Sequence, residues 1–259
     1  MKNALVTGAG ARLGRAMALY LGDRGFDVAV HYNTSSDGAD EVVAALADKG
    51  QRGVAVQADL LDEAQTQSLF GRAVDALGGP ITCLVNNASI FEYDSVQSAT
   101  EESWNRHIGS NLRAPFVLTQ AMAAQGLEPI IDDNDEPMAR GLIVNMLDQR
   151  VRKLTPEFMT YTIAKMGLWA MTQTTAQALS PSIRVNAIGP GPTLKGANQS
   201  EEHFARQRSR IILKRGSNPQ DITAALGYFL DAPAVTGQLL CTDGGQHLGW
   251  QTPDAQGLE

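Results

Sequence analysis

The chain has 259 residues, of which 43% are apolar and 19% are charged, and its formal net charge is -7. A disordered chain is excluded, because this length and apolar content can bury a large core. The negative charge argues against nucleic acid as the main partner, and no signal peptide or membrane span is recognisable. Cys83 and Cys241 lie far apart in apolar runs, without zinc-binding spacing. We therefore expect a soluble, cytoplasmic protein with two buried free thiols, no metal and no membrane partner.

The first half of the chain alternates short apolar runs with helical patterns. Strands are predicted at residues 4–7, 28–31, 54–57 and 83–86. Helices are predicted at residues 15–24, 37–49, 63–77 and 101–122, the last one interrupted or bent near Pro115. The segment at about 125–140 carries two prolines and the run IDDNDEP, which predicts an acidic surface loop.

The second half continues this alternation. Strands are predicted at residues 142–146, 184–188 and 239–242, and helices at 158–179, near 201–213 and near 220–230. Repeated alternation predicts parallel strands joined by right-handed crossover helices. The expected fold class is α/β: a doubly wound, Rossmann-type sheet of about seven strands with helices on both faces, in a single domain over residues 1–259. Ligands of such sheets bind at the carboxyl ends of the strands.

A glycine-rich turn, TGAGARLG at residues 7–14, follows the first strand. Glycines there allow the backbone to approach a pyrophosphate, and the following helix points its first N–H groups at it. The spacing departs from GxGxxG, since the third glycine comes one place late, and a merely tight turn is the alternative. The position between a strand and an amphipathic helix favours dinucleotide binding.

The end of the second strand distinguishes NAD from NADP. An acid there would hydrogen-bond the ribose hydroxyls of NAD. The chain instead reads HYNTS, so that Asn33, Thr34 and Ser35 offer polar donors without negative charge, and Arg12 is available as a cation. This pattern predicts NADP(H) as the cofactor.

Tyr161 and Lys165 lie four residues apart at the start of a predicted helix, and so they share one helix face. An ammonium beside a phenol favours the phenolate, which predicts a lowered tyrosine pKa. Such a tyrosine can protonate a carbonyl or imine as hydride arrives. The pair alone is common by chance, and a solvated pair is the alternative; the glycine turn upstream favours catalysis.

These motifs resemble the short-chain dehydrogenase/reductase family over nearly the whole chain. The resemblance rests on TGAGARLG, Gln57-Ala58-Asp59, Asn86-Asn87-Ala88, Asn111, Tyr161 with Lys165, Pro190-Gly191 and Asp243-Gly244-Gly245. It implies a homotetramer packed through the long helices that contain Asn111 and Tyr161. It also places a variable substrate lid at about 194–215, where the composition suggests an amphipathic helix.

Three departures from the family pattern resemble its pteridine reductase branch, which includes dihydromonapterin reductases. Arg12 replaces the middle glycine of the turn, Asp148 replaces the serine 13 residues before the tyrosine, and NNAG reads NNAS, followed by Ile90 and Phe91. In that branch an aromatic residue sandwiches the pterin. An aspartate beside the tyrosine suits a substrate nitrogen that must be protonated, and Phe91 suits stacking of a flat ring against the nicotinamide.

The resemblance implies a complete set of site residues. The expected catalytic residues are Asp148, Tyr161, Lys165 and Asn111, the last holding a water near the lysine. The expected substrate contacts are Arg12, Ser89, Phe91, Asp148 and Tyr161. The expected cofactor contacts are Gly8, Arg12, Leu13, Gly14, Asn33, Thr34, Ser35, Asp59, Leu60, Asn87, Ala88, Ser89, Lys165, Pro190, Gly191 and Thr193.

Six of these residues also have a simpler alternative role. On these alternatives, Asp148 only caps the loop after the fifth strand, Phe91 only packs within its loop, and Arg12 contacts only the cofactor phosphate. Asp59 is a helix N-cap rather than an adenine contact, Asn111 belongs to a helix bend, and Thr193 is an ordinary turn residue rather than a nicotinamide ligand.

Three functions follow from this pattern. The first is an NADPH-dependent reductase that transfers hydride to a C=N bond of a pteridine, namely a dihydropterin or a dihydrofolate-like substrate. The second is an NADP-dependent carbonyl or alcohol oxidoreductase of the same family. The third is a non-catalytic NADP-binding sensor, against which the intact Tyr161, Lys165 and Asn111 argue.

Overall fold

The computed structural model describes residues 2–196 and 199–251. Nine strands are found there: β1 Asn3–Val6, β2 Asp27–Tyr32, β3 Gly53–Gln57, β4 Cys83–Asn86, β5 Ile130–Ile131, β6 Pro137–Met138, β7 Gly141–Met146, β8 Ile183–Pro190 and β9 Leu239–Thr242. The α-helices in the same ranges are α1 Arg12–Asp23, α2 Ser36–Ala47, α3 Glu63–Leu77, α4 Glu101–Ile108, α5 Ala114–Ala123, α6 Met159–Ala178, α7 Glu201–Ser209 and α8 Pro219–Asp231.

Seven strands form one sheet in the order β3-β2-β1-β4-β7-β8-β9. All of its neighbouring strands run parallel. The chain builds outward from β1 to β3 and then returns to place β4 on the other side of β1. This reversal opens a crevice at the carboxyl ends of β1 and β4, where ligands of doubly wound sheets bind. The predicted α/β fold is confirmed.

Both faces of the sheet are covered by helices, which explains why the strands are apolar at consecutive positions. In β1, Ala4 and Val6 pack on the side of α1, α2 and α8, whereas Leu5 packs on the side of α3 and α5. The alternation of strand side chains thus builds two cores, one on each face. The ends of β1, β4 and β7 are held between these cores, and they supply a rigid base for the loops that follow them.

Some boundaries differ from the sequence predictions. The helix expected at 101–122 is broken by a π-helical turn at Gly109–Arg113. Pro115 lies in the first turn of α5, where a proline is tolerated, so the interruption precedes it. The helix expected near 201–213 ends at Ser209, and none of its residues is buried. Among the lid residues that the structure describes, Ile211 is buried, and it lies beyond the helix. Residues 197–198 of the expected lid lie outside the described residues.

The acidic segment expected as a loop at about 125–140 contains a two-stranded antiparallel hairpin. Ile130 pairs with Met138 and Ile131 with Pro137. Within the described residues, no helix has the length and apolar character of a membrane span. The same ranges hold no group of three or more histidine, cysteine or acidic side chains arranged for a metal ion.

The two cysteines are free, as expected, but only Cys83 is fully buried. Burial raises the pKa of Cys83 to about 12 and that of the half-buried Cys241 to about 11. Both thiols therefore stay protonated near neutral pH, which makes them poor nucleophiles.

Candidate active site

The glycine turn closes tightly at the end of β1. Gly8 has a φ of +63°, and a Cβ placed on Gly14 would lie 2.1 Å from the carbonyl oxygen of Gly8. Gly14 lies in the first turn of helix α1, and the N-cap residue Ala11 has no side chain that could cap the first N–H groups. Bare helix N–H groups beside a turn without side-chain bulk fit the pyrophosphate of a dinucleotide.

The segment after β4 is fastened to this turn by Thr7. The Thr7 hydroxyl oxygen accepts hydrogen bonds from the backbone N–H groups of Asn87 at 2.8 Å and Ala88 at 2.9 Å. The Asn87 side chain donates in return to the Thr7 carbonyl at 2.8 Å. The crevice between β1 and β4 is therefore held together by hydrogen bonds within the protein itself. Asn33, Thr34 and Ser35 lie exposed after β2, at the same edge of the sheet.

His31 supports the turn from β2, a role that the sequence analysis did not assign. Its Nδ1 accepts from the Gly8 N–H at 2.9 Å, and its Nε2 lies 3.0 Å from the carbonyl of Ala58. Since Nδ1 accepts, Nε2 carries the proton and donates to Ala58. Burial lowers the pKa of His31 to about 4, so the ring is neutral at pH 7. The sequence feature that could have indicated this role is a single histidine in the otherwise apolar run at residues 28–31.

Tyr161 and Asp148 meet at the carboxyl end of β7. The Tyr161 hydroxyl donates to Asp148 Oδ2 at 3.0 Å, and the other carboxylate oxygen accepts from the backbone N–H of Arg150 at 2.8 Å. Asp148 thus caps the following 3-10 turn, as the structural alternative proposed, and also touches the tyrosine. Burial first, then the charge and hydrogen bond of Asp148, raise the pKa of Tyr161 well above its ordinary value. The expected lowering of this pKa by Lys165 is wrong.

Lys165 lies one turn further along α6. Its Nζ donates to the carbonyl of Met146 at 2.7 Å and lies 5.6 Å from the centre of the Tyr161 ring. Burial lowers the pKa of Lys165 to about 8, while Asp148 acts in the opposite direction. The ammonium is therefore mostly retained at pH 7. It faces the tyrosine ring and does not bond to the phenol oxygen.

Asn111 lies in the π-helical turn and is fully buried. Its side-chain oxygen accepts from the Ile90 N–H at 2.9 Å, and its amide nitrogen donates to the Ile90 carbonyl at 2.8 Å. Both polar atoms of this buried amide are satisfied by the loop between β4 and α4. The side chain therefore fixes the loop that carries Ser89 and Phe91, and its expected role of holding a water near Lys165 stays a prediction.

Phe91 presents an aromatic face beside Tyr161. Its ring stacks on Phe158 with centroids 4.3 Å apart, and it meets Tyr161 edge-on at 4.8 Å. The guanidinium of Arg150 covers the Phe158 ring at 5.0 Å. Phe91 nevertheless remains 54% exposed, which is unusual for a large apolar side chain in a cluster. An apolar surface next to a proton donor is suited to a flat substrate.

A buried acid, Asp94, fixes the start of α6 and was also missed from the sequence. Its carboxylate accepts from the Thr160 N–H at 3.1 Å, from the Thr160 hydroxyl and from the Ser103 hydroxyl at 3.1 Å. His107 bonds the same threonine at 2.7 Å through Nδ1. This network holds the residue immediately before Tyr161, so it sets the position of the phenol.

Arg12 joins the glycine turn to the lid. It has a φ of +53°, in the region that favours glycine, and its guanidinium donates to the carbonyls of Lys195 at 3.0 Å and Leu194 at 3.2 Å. Thr193 is buried, where its hydroxyl donates to the Gly191 carbonyl at 3.1 Å and lies 2.6 Å from that of Ser217. Both side chains thus use their polar atoms on backbone or neighbouring groups of the lid region.

Other expected contact residues serve local structure. Asp59 accepts from the Leu61 N–H at 2.9 Å, but the N-cap of α3 is Asp62, so the expected N-cap alternative for Asp59 is wrong. Leu13 and Leu60 are partly buried against the two cores. Pro190 ends β8, and a Cβ on Gly191 would lie 2.8 Å from the Asp243 backbone.

Comparison with known proteins agrees with this geometry. A family model described as Enoyl-(Acyl carrier protein) reductase matches residues 8–247. The 3-oxoacyl-[acyl-carrier-protein] reductase FabG of Staphylococcus epidermidis is 30% identical over 252 residues, which cover 95% of this chain and 99% of the relative.

Two solved structures are more similar. FolM Alternative dihydrofolate reductase 1 from Brucella suis, in complex with NADP, is 41% identical with a TM-score of 0.88, covering 98% of each chain. The protein of the same name from Brucella canis, also complexed with NADP, is 40% identical with a TM-score of 0.87 and the same coverage.

Proposed function

The chain belongs to the short-chain dehydrogenase/reductase family, and within that family we propose that it is an NADPH-dependent reductase of a pteridine. It is an NADP-dependent oxidoreductase, and its proposed substrate is a dihydropterin or a dihydrofolate-like molecule with a C=N bond. The observation that carries the proposal is the hydrogen bond from Tyr161 to Asp148, 3.0 Å long, beside the exposed ring of Phe91. The 41% identity to a FolM alternative dihydrofolate reductase supports it.

NADP(H) fits the crevice between β1 and β4. The turn residues Gly8, Leu13 and Gly14 would receive its pyrophosphate, with Asn33, Thr34 and Ser35 at the 2′-phosphate. Asp59 and Leu60 would flank the adenine. Toward the other end, the cofactor would meet Asn87, Ala88, Ser89, Lys165, Pro190, Gly191 and Thr193. When bound, NADPH supplies the hydride.

Tyr161 holds the proton for the reaction. Its raised pKa keeps the phenol protonated at neutral pH, and the Asp148 carboxylate orients the hydroxyl. The phenol oxygen donates its proton to the substrate nitrogen as the C=N bond is reduced. A phenolate beside Asp148 is destabilised by the like charge, which favours its prompt reprotonation, and the ammonium of Lys165 offsets part of that charge.

Phe91 and Arg12 account for substrate selection. The exposed ring of Phe91 offers an apolar face on which a flat bicyclic ring can stack. The Phe91 ring plane is inclined by 75° to that of Tyr161, so the two rings meet edge-on. Arg12 reaches over the turn toward Leu194, so its guanidinium is placed between the cofactor region and the lid. From there it can bind an anionic phosphate or the polar edge of the substrate.

The test is NADPH oxidation with dihydrobiopterin, dihydromonapterin and dihydrofolate, beside a panel of simple ketones. We expect pteridine turnover that Tyr161→Phe and Asp148→Ser both abolish. Turnover of ketones without any pteridine activity would contradict the proposal.

A second candidate is an NADP-dependent carbonyl or alcohol oxidoreductase. The 30% identity to a 3-oxoacyl reductase favours it, since that relative is named for a keto substrate. On this alternative, Asp148→Ser would preserve or improve ketone reduction, because a serine hydroxyl suits a neutral carbonyl oxygen. The same variant therefore separates the two candidates.

We also propose a homotetramer. Three large apolar side chains, Phe116, Ile163 and Met166, are 37–40% exposed on α5 and α6, the helices through which the subunits would pack. Light scattering after gel filtration tests this: a mass near four times 27.7 kDa is expected, and a monomer would contradict it.

A further inference from the structure

One arginine of the lid helix α7 makes an unusually complete set of hydrogen bonds. Arg208 Nη1 donates to the carbonyls of Pro192 at 2.8 Å and Ser217 at 2.6 Å. Its Nη2 donates to the carbonyl of Gly216 at 3.1 Å and to the Asn218 side chain at 3.0 Å. Four acceptors from two distant loops therefore converge on one guanidinium. Only a planar fork of donors can satisfy such an arrangement, and a lysine cannot.

Two of these acceptors flank Thr193. Pro192 immediately precedes it, and the hydroxyl of Ser217 lies 2.6 Å from the Thr193 hydroxyl. Thr193 and Ser217 are 6% and 5% exposed. Arg208 thus ties together the backbones on both sides of a buried pair of hydroxyls. Moving the arginine would release both partners of the pair at once.

The two loops that Arg208 joins also pack closely at Gly216. A Cβ on Gly216 would lie 2.3 Å from the Pro192 carbonyl oxygen and 2.7 Å from Arg208 Nη1. The close approach of the two loops therefore requires a glycine at this position. This observation is independent of the hydrogen bonds and indicates the same fixed arrangement.

We propose that Arg208 is a positioning residue that holds Thr193 in place for the nicotinamide end of NADP(H), acting through Pro192 and Ser217. This inference rests on the proposed cofactor site. Helix α7 buries none of its residues, so the arginine is not needed to complete a core. Its hydrogen bonds hold the turn after β8, where Thr193 would meet the nicotinamide end of the cofactor. The adenosine end would be held at the other end of the site, by the residues after β2 and β3.

The experiment compares two ligands by titration calorimetry: NADPH, and adenosine 2′,5′-bisphosphate, which lacks the nicotinamide. For Arg208→Gln and Arg208→Lys we expect the Kd of NADPH to rise about tenfold, as for loss of charge-assisted hydrogen bonds. The Kd of the bisphosphate should stay unchanged. Arg206→Gln, an exposed arginine on the same helix, is the matched control and should change neither Kd.

A second experiment combines the Arg208 variants with Thr193→Val to test whether the two residues act together. If Arg208 acts through Thr193, the double variant should bind NADPH no more weakly than the worse single variant, because the two effects share one contact. The inference would be overturned if the losses of NADPH affinity in the double variant were additive, or if the Arg208 variants lost affinity equally for NADPH and the bisphosphate. An unchanged NADPH affinity in Arg208→Gln or in Arg208→Lys would overturn it as well. Failure of the unsubstituted protein to bind NADPH would instead overturn the proposed function.

Discussion

The cofactor side and the substrate side of the site are built differently. On the cofactor side, the turn after β1 is held by neighbouring strands, through Thr7 and His31. On the substrate side, Arg12 reaches from the glycine turn to the backbone carbonyls of Lys195 and Leu194 in the lid. The first arrangement joins adjacent strands of the sheet, whereas the second depends on one long side chain. Substitutions should therefore damage the two sides in different ways.

The largest effect on activity is expected for Tyr161, which lies between the cofactor side and the substrate side. Tyr161→Phe removes the proton donor while keeping the ring that contacts Phe91. We expect kcat to fall about 10³-fold, the usual contribution of general acid catalysis. The Kd of NADPH should be unchanged in the same protein. Substantial activity in this variant would show that another group protonates the substrate.

The next effect tests the cofactor side. In Gly14→Ala the new Cβ would lie 2.1 Å from the Gly8 carbonyl, so the turn must shift. An overpacking cost of about 1–3 kcal/mol corresponds to a loss of NADPH affinity of about 5- to 150-fold. Calorimetric titration measures it.

Gly71→Ala is the matched control for that substitution. Gly71 lies in α3 with open space around it, so alanine should stabilise the helix by about 0.5–1 kcal/mol without changing NADPH affinity. Unchanged affinity in Gly14→Ala would show that the cofactor side tolerates rearrangement, and the contrast between the two sides would be lost.

The sequence predicted the sheet and its glycine turn better than the contacts of individual side chains, for a physical reason. The turn and its strand require glycines at fixed spacing, and the alternation of strands and helices determines the order of the sheet. The contacts of Asn111, Arg12 and Arg208 join segments that are far apart in the chain. Nothing in their local spacing specifies the partner, so the hydrogen bonds of Asn111 to Ile90 could not be predicted.

The same limit applies to electrostatics. The spacing of Tyr161 and Lys165 correctly places them on one helix face, but it carries no information on burial. The direction of the Tyr161 pKa depends on burial and on Asp148, which lies on another element. An ammonium at 5.6 Å from the ring centre does not outweigh these two effects.

His31 gives a pH-dependent test of the cofactor side. Because its folded-state pKa is about 4, below the ordinary 6.5, the unfolded chain binds the extra proton first as the pH falls. Its stabilisation is complete above pH 6.5 and is lost as the pH falls toward 4. Relative to His31→Gln, the protein should lose about 2–3 kcal/mol of unfolding free energy between pH 7 and pH 4.5.

Urea unfolding at the two pH values measures this difference. The matched control is His203→Gln, since His203 is exposed on α7. Parallel profiles for the unsubstituted protein and His31→Gln would mean that the histidine does not hold the turn in its neutral form.

The smallest effect separates the substrate side from the cofactor side. Phe91→Leu keeps an apolar residue but removes the ring on which a pteridine would stack, and an aromatic pair contributes about 0.5–1.5 kcal/mol beyond its buried area. We therefore expect KM for the pteridine to rise about 2- to 12-fold, with the Kd of NADPH unchanged. Tyr93→Leu is the control, because Tyr93 touches Phe158 at 5.3 Å and is 65% exposed. Equal changes in KM for a pteridine and for an acyclic ketone would indicate loop packing, and the exposed face of Phe91 would then have no part in selecting flat substrates.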